Sequence, residues 1–189
     1  MRNCYLLLFC LAYITAFSQN KVSDKKLIVF NTYEDYVAKK GEDYGFITGK
    51  ANDSWGGNKI YVGNAQKDKA INTNKFWGYQ IGGYLFRMNT YSLRVPMLVL
   101  NGKEKVFYID GYLFLDKAIY NEDAGRSFRD SDGCFYSDDL NSEVFEITKM
   151  ISKEKNNPKL KDMIECLKDA KGRMGVQSKF NGYVECIQK

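Results

Sequence analysis

Between residues 44 and 120 the chain alternates short apolar, aromatic and β-branched runs with glycine-bearing links. Runs at 45–48, 59–62, 76–81, 84–89, 93–100, 105–109 and 112–120 predict seven strands. Gly82-Gly83, Asn101-Gly102 and Asp110-Gly111 separate successive runs. Such dipeptides supply the positive φ angles of tight hairpin turns, so three hairpins in succession are expected. Pro96 cannot donate to a ladder, which places that part of its strand at an edge or a bulge. Ahead of these runs, residues 26–31 form a short β-prone stretch, and Thr32 followed by Glu34 and Asp35 reads as a helix start. Tyr33, Tyr36 and Val37 share one face of that short helix, and Gly41 is its expected stop.

The period then changes. Residues 121–139 are polar, acidic and broken by Gly125 and Gly133, the composition of a long loop. Beyond them apolar residues recur at three and four. Asn141 or Ser142 can cap a first helix carrying Val144, Ile147 and Ile151 on one face, with Phe145 beside them. Asn157-Pro158 opens a second, with Leu160, Met163, Ile164 and Leu167 as its stripe and Gly172 at its end. A third runs from about Gln177 with Phe180, Tyr183, Val184 and Ile187. The expectation is an α+β fold: an antiparallel β meander, able to curl into an open barrel, followed by a C-terminal three-helix segment.

The leading residues are read separately. Arg2 precedes an almost unbroken apolar run over 5–17, and Ala16 and Ser18 put small residues where a signal peptidase reads. Residues 1–18 are therefore expected to be a signal peptide, leaving a single α+β domain over 19–189: β-rich with one short helix to 120, the acidic loop, and the helical tail over 140–189. The apolar run is shorter than the roughly 20 residues a spanning helix needs, so no stable membrane insertion is expected after processing. Cys10 follows Phe9 and not a small residue, which argues against lipid anchoring. Export by the general secretory route, to the periplasm, outer surface or medium, is the expected address.

Composition narrows the chemistry. The 28 Lys and Arg against 23 Asp and Glu give a net charge of +5, and the two signs are interleaved, so no basic stripe points to nucleic acid. There is no histidine, which removes histidine-based triads, histidine general bases and histidine metal sites. Cys134, Cys166 and Cys186 lie beyond the leader. In an oxidising compartment one pair can bridge, and three single bridges are possible. Ile164-Glu165-Cys166-Leu167 echoes Val184-Glu185-Cys186-Ile187, with each cysteine on the same flank of its stripe. That makes Cys166–Cys186 the preferred pair if the two helices lie antiparallel.

Three motifs invite a functional reading. Asp130, Asp132, Asp138 and Asp139 gather acids in the 121–139 loop, and Asp130 and Asp132 are the nearest approach to a calcium site. The EF-hand register fails, because with Gly133 sixth the first ligand falls on Phe128 and the twelfth on Asp139, so no metal is assigned. Trp55, Trp77, Tyr79, Tyr84, Phe86, Tyr91, Tyr108, Tyr112 and Phe114 crowd the β region. Strand alternation sends about half of these into a core. Trp55 stands apart in a polar, glycine-rich stretch, and Trp55 with Tyr91 are the candidate ligand contacts, beside the 121–139 loop. Glu104, Asp110 and Asp116 flank or follow one strand, but nothing in their spacing sets them at hydrolase separation. No catalytic residue and no cofactor is assigned.

Thr32-Tyr33-Glu34-Asp35-Tyr36, Phe76-Trp77-Gly78-Tyr79 with Gly82-Gly83-Tyr84, and the closing helices resemble a loose group of small secreted proteins of Bacteroidetes. That group combines a signal peptide, a YEDY segment, a WGY strand, a β meander and a helical tail. The resemblance implies an exported β-plus-helix protein and brings no activity, substrate or catalytic residue. The expectation is an exported, non-catalytic binding module of the cell envelope or extracellular space, with protein or glycan as partner. The alternative is a histidine-free, carboxylate-based hydrolase acting on polysaccharide or peptidoglycan.

Overall fold

A computed structural model describes residues 23–52, 58–64, 67–88, 95–102, 104–121 and 133–188. Within them the strands are β1 (Lys26–Phe30), β2 (Glu42–Asn52), β3 (Asn58–Asn64), β4 (Lys67–Asn72) and β5 (Gly78–Ile81). They continue as β6 (Tyr84–Met88), β7 (Pro96–Asn101), β8 (Val106–Asp110), β9 (Cys134–Ser137) and β10 (Phe145–Glu146). The helices are α1 (Tyr33–Val37), α2 (Tyr112–Tyr120), α3 (Ile147–Lys153), α4 (Lys161–Gly172) and α5 (Val176–Gln188). The fold is α+β, with one open antiparallel sheet in the order β10-β9-β8-β7-β6-β5-β1-β2-β3-β4.

The sheet is two meanders joined at β1. The chain zigzags outward through β2, β3 and β4, returns, and lays β5 on the free side of β1 before zigzagging the other way. The return is short because β2 bends. Its first part pairs with β1 (Glu42 with Val29, Phe46 with Lys26), its second part with β3 from Ile47 onward, and the register shifts in each ladder. A shift of this kind increases local twist. The β5–β6 link is the expected two-residue hairpin: Ile81 faces Tyr84, and Gly82 and Gly83 take φ of +55° and +92°.

Several sequence expectations give way here. Residues 112–120 are a helix, not a strand: Leu115, Ala118 and Ile119 are buried at a three-and-four spacing. Asp110 is the reason the chain does not turn back. Its carboxylate accepts from the Tyr112 N–H at 2.9 Å, so Asp110-Gly111 starts a helix and not a hairpin. Asn101 pairs with Val106, so the next link back is a longer loop. The 121–139 segment is not all loop, because 134–137 form the buried strand β9 beside β8. Likewise Phe145 and Glu146 pair with β9, which delays the following helix to Ile147 and leaves Val144 and Phe145 outside it. Pro96 opens an interior strand; at the first position its missing N–H is harmless. β4, too polar to stand out in sequence, lies at a sheet edge.

Register sorts the side chains into two faces. Leu27, Val29, Tyr79, Ile81, Phe86, Leu98, Ile109, Phe107 and Tyr136 follow one another across facing pairs on one of them. All are buried, in one cluster with Leu115 and Ile119 of α2, Met150 of α3, Ile164 and Leu167 of α4, and Phe180 and Tyr183 of α5. Each such side chain contributes about 1.5–3 kcal/mol by leaving water. Cys166 and Cys186 are joined by a disulfide with their Cα atoms 5.8 Å apart, which closes the α4–α5 pair. Cys134 is buried and takes no part in the disulfide. Polar clamps seal the rim. Lys50 pairs with Asp116 of α2 at 2.5 Å. Lys105, before β8, reaches Asp138 at 2.5 Å and Glu154 at 2.8 Å. Those hydrogen bonds outweigh the burial of Lys105 and hold its ammonium above the usual lysine range.

Candidate binding groove

The opposite face carries Ile28, Phe30, Gln80, Leu85, Arg87, Val99 and Tyr108. Its cover is light. Helix α1 has five residues, none fully buried. Its start is well made: Asp35 N–H donates to Thr32 Oγ1, and Thr32 N–H donates to Asp35 Oδ2, both at 3.1 Å. Its attachment is aromatic. Tyr36 stacks on Trp77 at 5.4 Å and meets Phe30 edge-on at 5.3 Å, while Tyr33 lies 5.6 Å from Trp77. Trp77, outside the strand it was expected to join, is therefore the anchor of α1.

The helix ends at Val37, short of Gly41. Ala38 and Lys40 N–H donate back to Glu34 and Asp35 carbonyls, and Lys39 turns the chain with φ of +54°. Gly41 then passes close over β1, where a Cβ would run into the Ile28 and Phe30 side chains. Between this turn and the sheet lies an open groove of ≈640 Å³. Ile28, Phe30, Leu85 and Val99 line its sheet side with Gln80; Tyr36, Val37 and Lys39 line the other wall. Val37 is 60% exposed, an aliphatic side chain facing water. Among the described residues Lys39 is the one charged residue in the lining.

The remainder of this face is closed by a polar relay. Arg87 donates to the Tyr108 hydroxyl at 3.0 Å and to the Ser142 carbonyl at 2.8 Å, with its guanidinium over the Tyr108 ring. Ser137 Oγ donates to the Asp139 carbonyl, so the Tyr108 hydroxyl donates to Ser137 Oγ at 2.7 Å. Asp139 accepts from the N–H groups of Asn141 and Ser142. Hydrogen bonds from Ser142 and Asn141 keep its carboxyl below the usual aspartate range. Every member is occupied, and the Ser137 hydroxyl faces a carbonyl, not a base. The relay holds the turn after β9 in place and offers no nucleophile.

The carboxylates weighed in sequence are likewise spoken for. Glu104 meets Lys159 at 3.4 Å, Asp116 meets Lys50, and Asp110 starts α2, its carboxyl raised by burial against the Tyr112 hydrogen bond. Asp138 and Asp139 serve Lys105 and a turn. Among the described residues no three Cys, Asp or Glu side chains gather as metal ligands, and no helix is long and apolar enough to cross a membrane. Trp55, Tyr91, Asp130 and Asp132 lie outside the described residues. Sequence reasoning put Val37 on one helix face with Tyr33 and Tyr36 and gave no sign of a groove wall. Comparison with known proteins matches this chain to no protein-family model, no curated protein and no solved structure.

Proposed function

We propose that the protein is an exported, non-catalytic binding module of the cell envelope or extracellular space, and that its ligand seats in the groove under α1. The observation that carries this reading is the open groove on the lightly covered face, with Val37 standing 60% exposed at its wall. Ligand sites are concave and combine apolar wall with placed polar groups, here Gln80, Lys39, Tyr36 and Tyr84. Export draws support from the leader-like residues 1–18 and from the Cys166–Cys186 bridge, a bond that persists in oxidising compartments. The hydrolase reading requires a pair of close carboxylates in a cleft, and no Asp or Glu lines this groove among the described residues.

The test is a titration with the neutral dye N-phenyl-1-naphthylamine, followed by fluorescence. Saturable binding at one site, abolished by Val37→Asp at unchanged melting temperature, is the expected result. Dye binding untouched by Val37→Asp, or no saturable binding, overturns the groove as the ligand site.

A further inference from the structure

We infer that the groove takes a monomeric anionic amphiphile, an alkyl or aryl body bearing a single carboxylate or comparable anionic head. This rests on the reading of the groove as a ligand site and adds its chemical class. Three observations point the same way. First, Ile28, Leu85, Val99 and Val37 put an aliphatic strip into the lining, a surface that gains by excluding water.

Second, the charge in the lining has one sign. Lys39 is, among the described residues, its only ionisable side chain other than the Tyr36 and Tyr84 phenols, and no carboxylate in the lining competes for it. Among the described residues Lys39 makes no ion pair. An unpaired ammonium beside apolar wall is complementary to an anion whose remainder is apolar, and it repels a cationic amphiphile of the same body. Third, the volume of ≈640 Å³ lies within the roughly 300–1,000 Å³ of small-molecule sites. A single chain with a head fits that space.

The geometry orders the ligand: body along Ile28, Leu85 and Val99, head at the Lys39 rim. Displacement of N-phenyl-1-naphthylamine tests this with dodecanoate, dodecanol and dodecyltrimethylammonium, each below its micellar concentration. Dodecanoate is expected to compete best and the ammonium worst. Lys39→Glu is expected to weaken dodecanoate about ten-fold or more while leaving dodecanol unchanged, the size of a lost charge-assisted contact. Equal competition by dodecanoate and the ammonium, or dodecanoate binding indifferent to Lys39→Glu, overturns the inference while dye binding itself stands. Absence of dye binding overturns the groove as a site altogether, so the two failures are distinguishable.

Discussion

The two faces of the sheet are built from similar side chains and finished differently. On one, Leu27, Tyr79, Phe86 and Phe107 meet four helices, a disulfide and the Lys105 clamp. On the other, Ile28, Phe30, Leu85 and Val99 line a groove beside a five-residue helix held by rings, and part of the surface stays open. On the proposed reading, the difference separates stability from binding. A surface sealed by thick cover holds the fold together, and a surface under thin cover keeps apolar area available to a ligand.

The largest contrast is between two aliphatic truncations. Leu167→Ala, at a fully buried site in α4, is expected to cost about 2–5 kcal/mol, whereas Val37→Ala stays within about 0.5 kcal/mol. Thermal and urea unfolding measure both, and similar losses at the two sites would erase the distinction between faces. Next comes the bridge. Converting Cys166 and Cys186 together to serine reopens a 20-residue separation and should cost roughly 2–4 kcal/mol. Dye affinity in the groove should be unchanged, because α4 and α5 lie on the other face.

A smaller effect is expected at the anchor of α1. Trp77→Ala removes ring contacts with Tyr33 and Tyr36, each worth about 0.5–1.5 kcal/mol. Its signature is local: faster amide exchange over residues 32–40 and weaker dye binding, with exchange in α4 unaltered. The smallest is a pH effect confined to the sealed face. Hydrogen bonds from Lys105 and then Asn157 hold the Glu154 carboxyl below the usual glutamate range. A depressed acid stabilises the fold above its unfolded pKa and loses that contribution as pH falls through the folded one. The stability gap between the protein and Glu154→Gln should therefore be present at neutral pH and close on acidification below pH 4.5. A gap that widens on acidification would contradict the clamp.

How far the sequence is legible follows the same division. Local chemistry was readable: the Thr32 cap, the Gly82-Gly83 hairpin, and the apolar stripes of α4 and α5 all depend on neighbours within a few residues. The Tyr112–Tyr120 helix was misread because its aromatic, β-prone composition outweighed one side chain, Asp110, whose hydrogen bond diverts the chain. Strand β9 hid in an acidic segment because its burial comes from β8, some 25 residues earlier. The groove was illegible for a related reason. Central strands here are apolar on both faces, so 105–109 shows no alternation that would name the covered side. Which face the helices take is decided by distant packing, and an exposed Val37 looks like any core valine.

The most direct test of the division is to map ligand contact by NMR, recording amide shifts of isotope-labelled protein as N-phenyl-1-naphthylamine is added. The account predicts shifts concentrated at Ile28, Phe30, Tyr36, Val37, Gln80, Leu85 and Val99, with Ile164, Leu167, Phe180 and Tyr183 silent. Shifts centred on α4 and α5, or absent throughout at saturating dye, would contradict it.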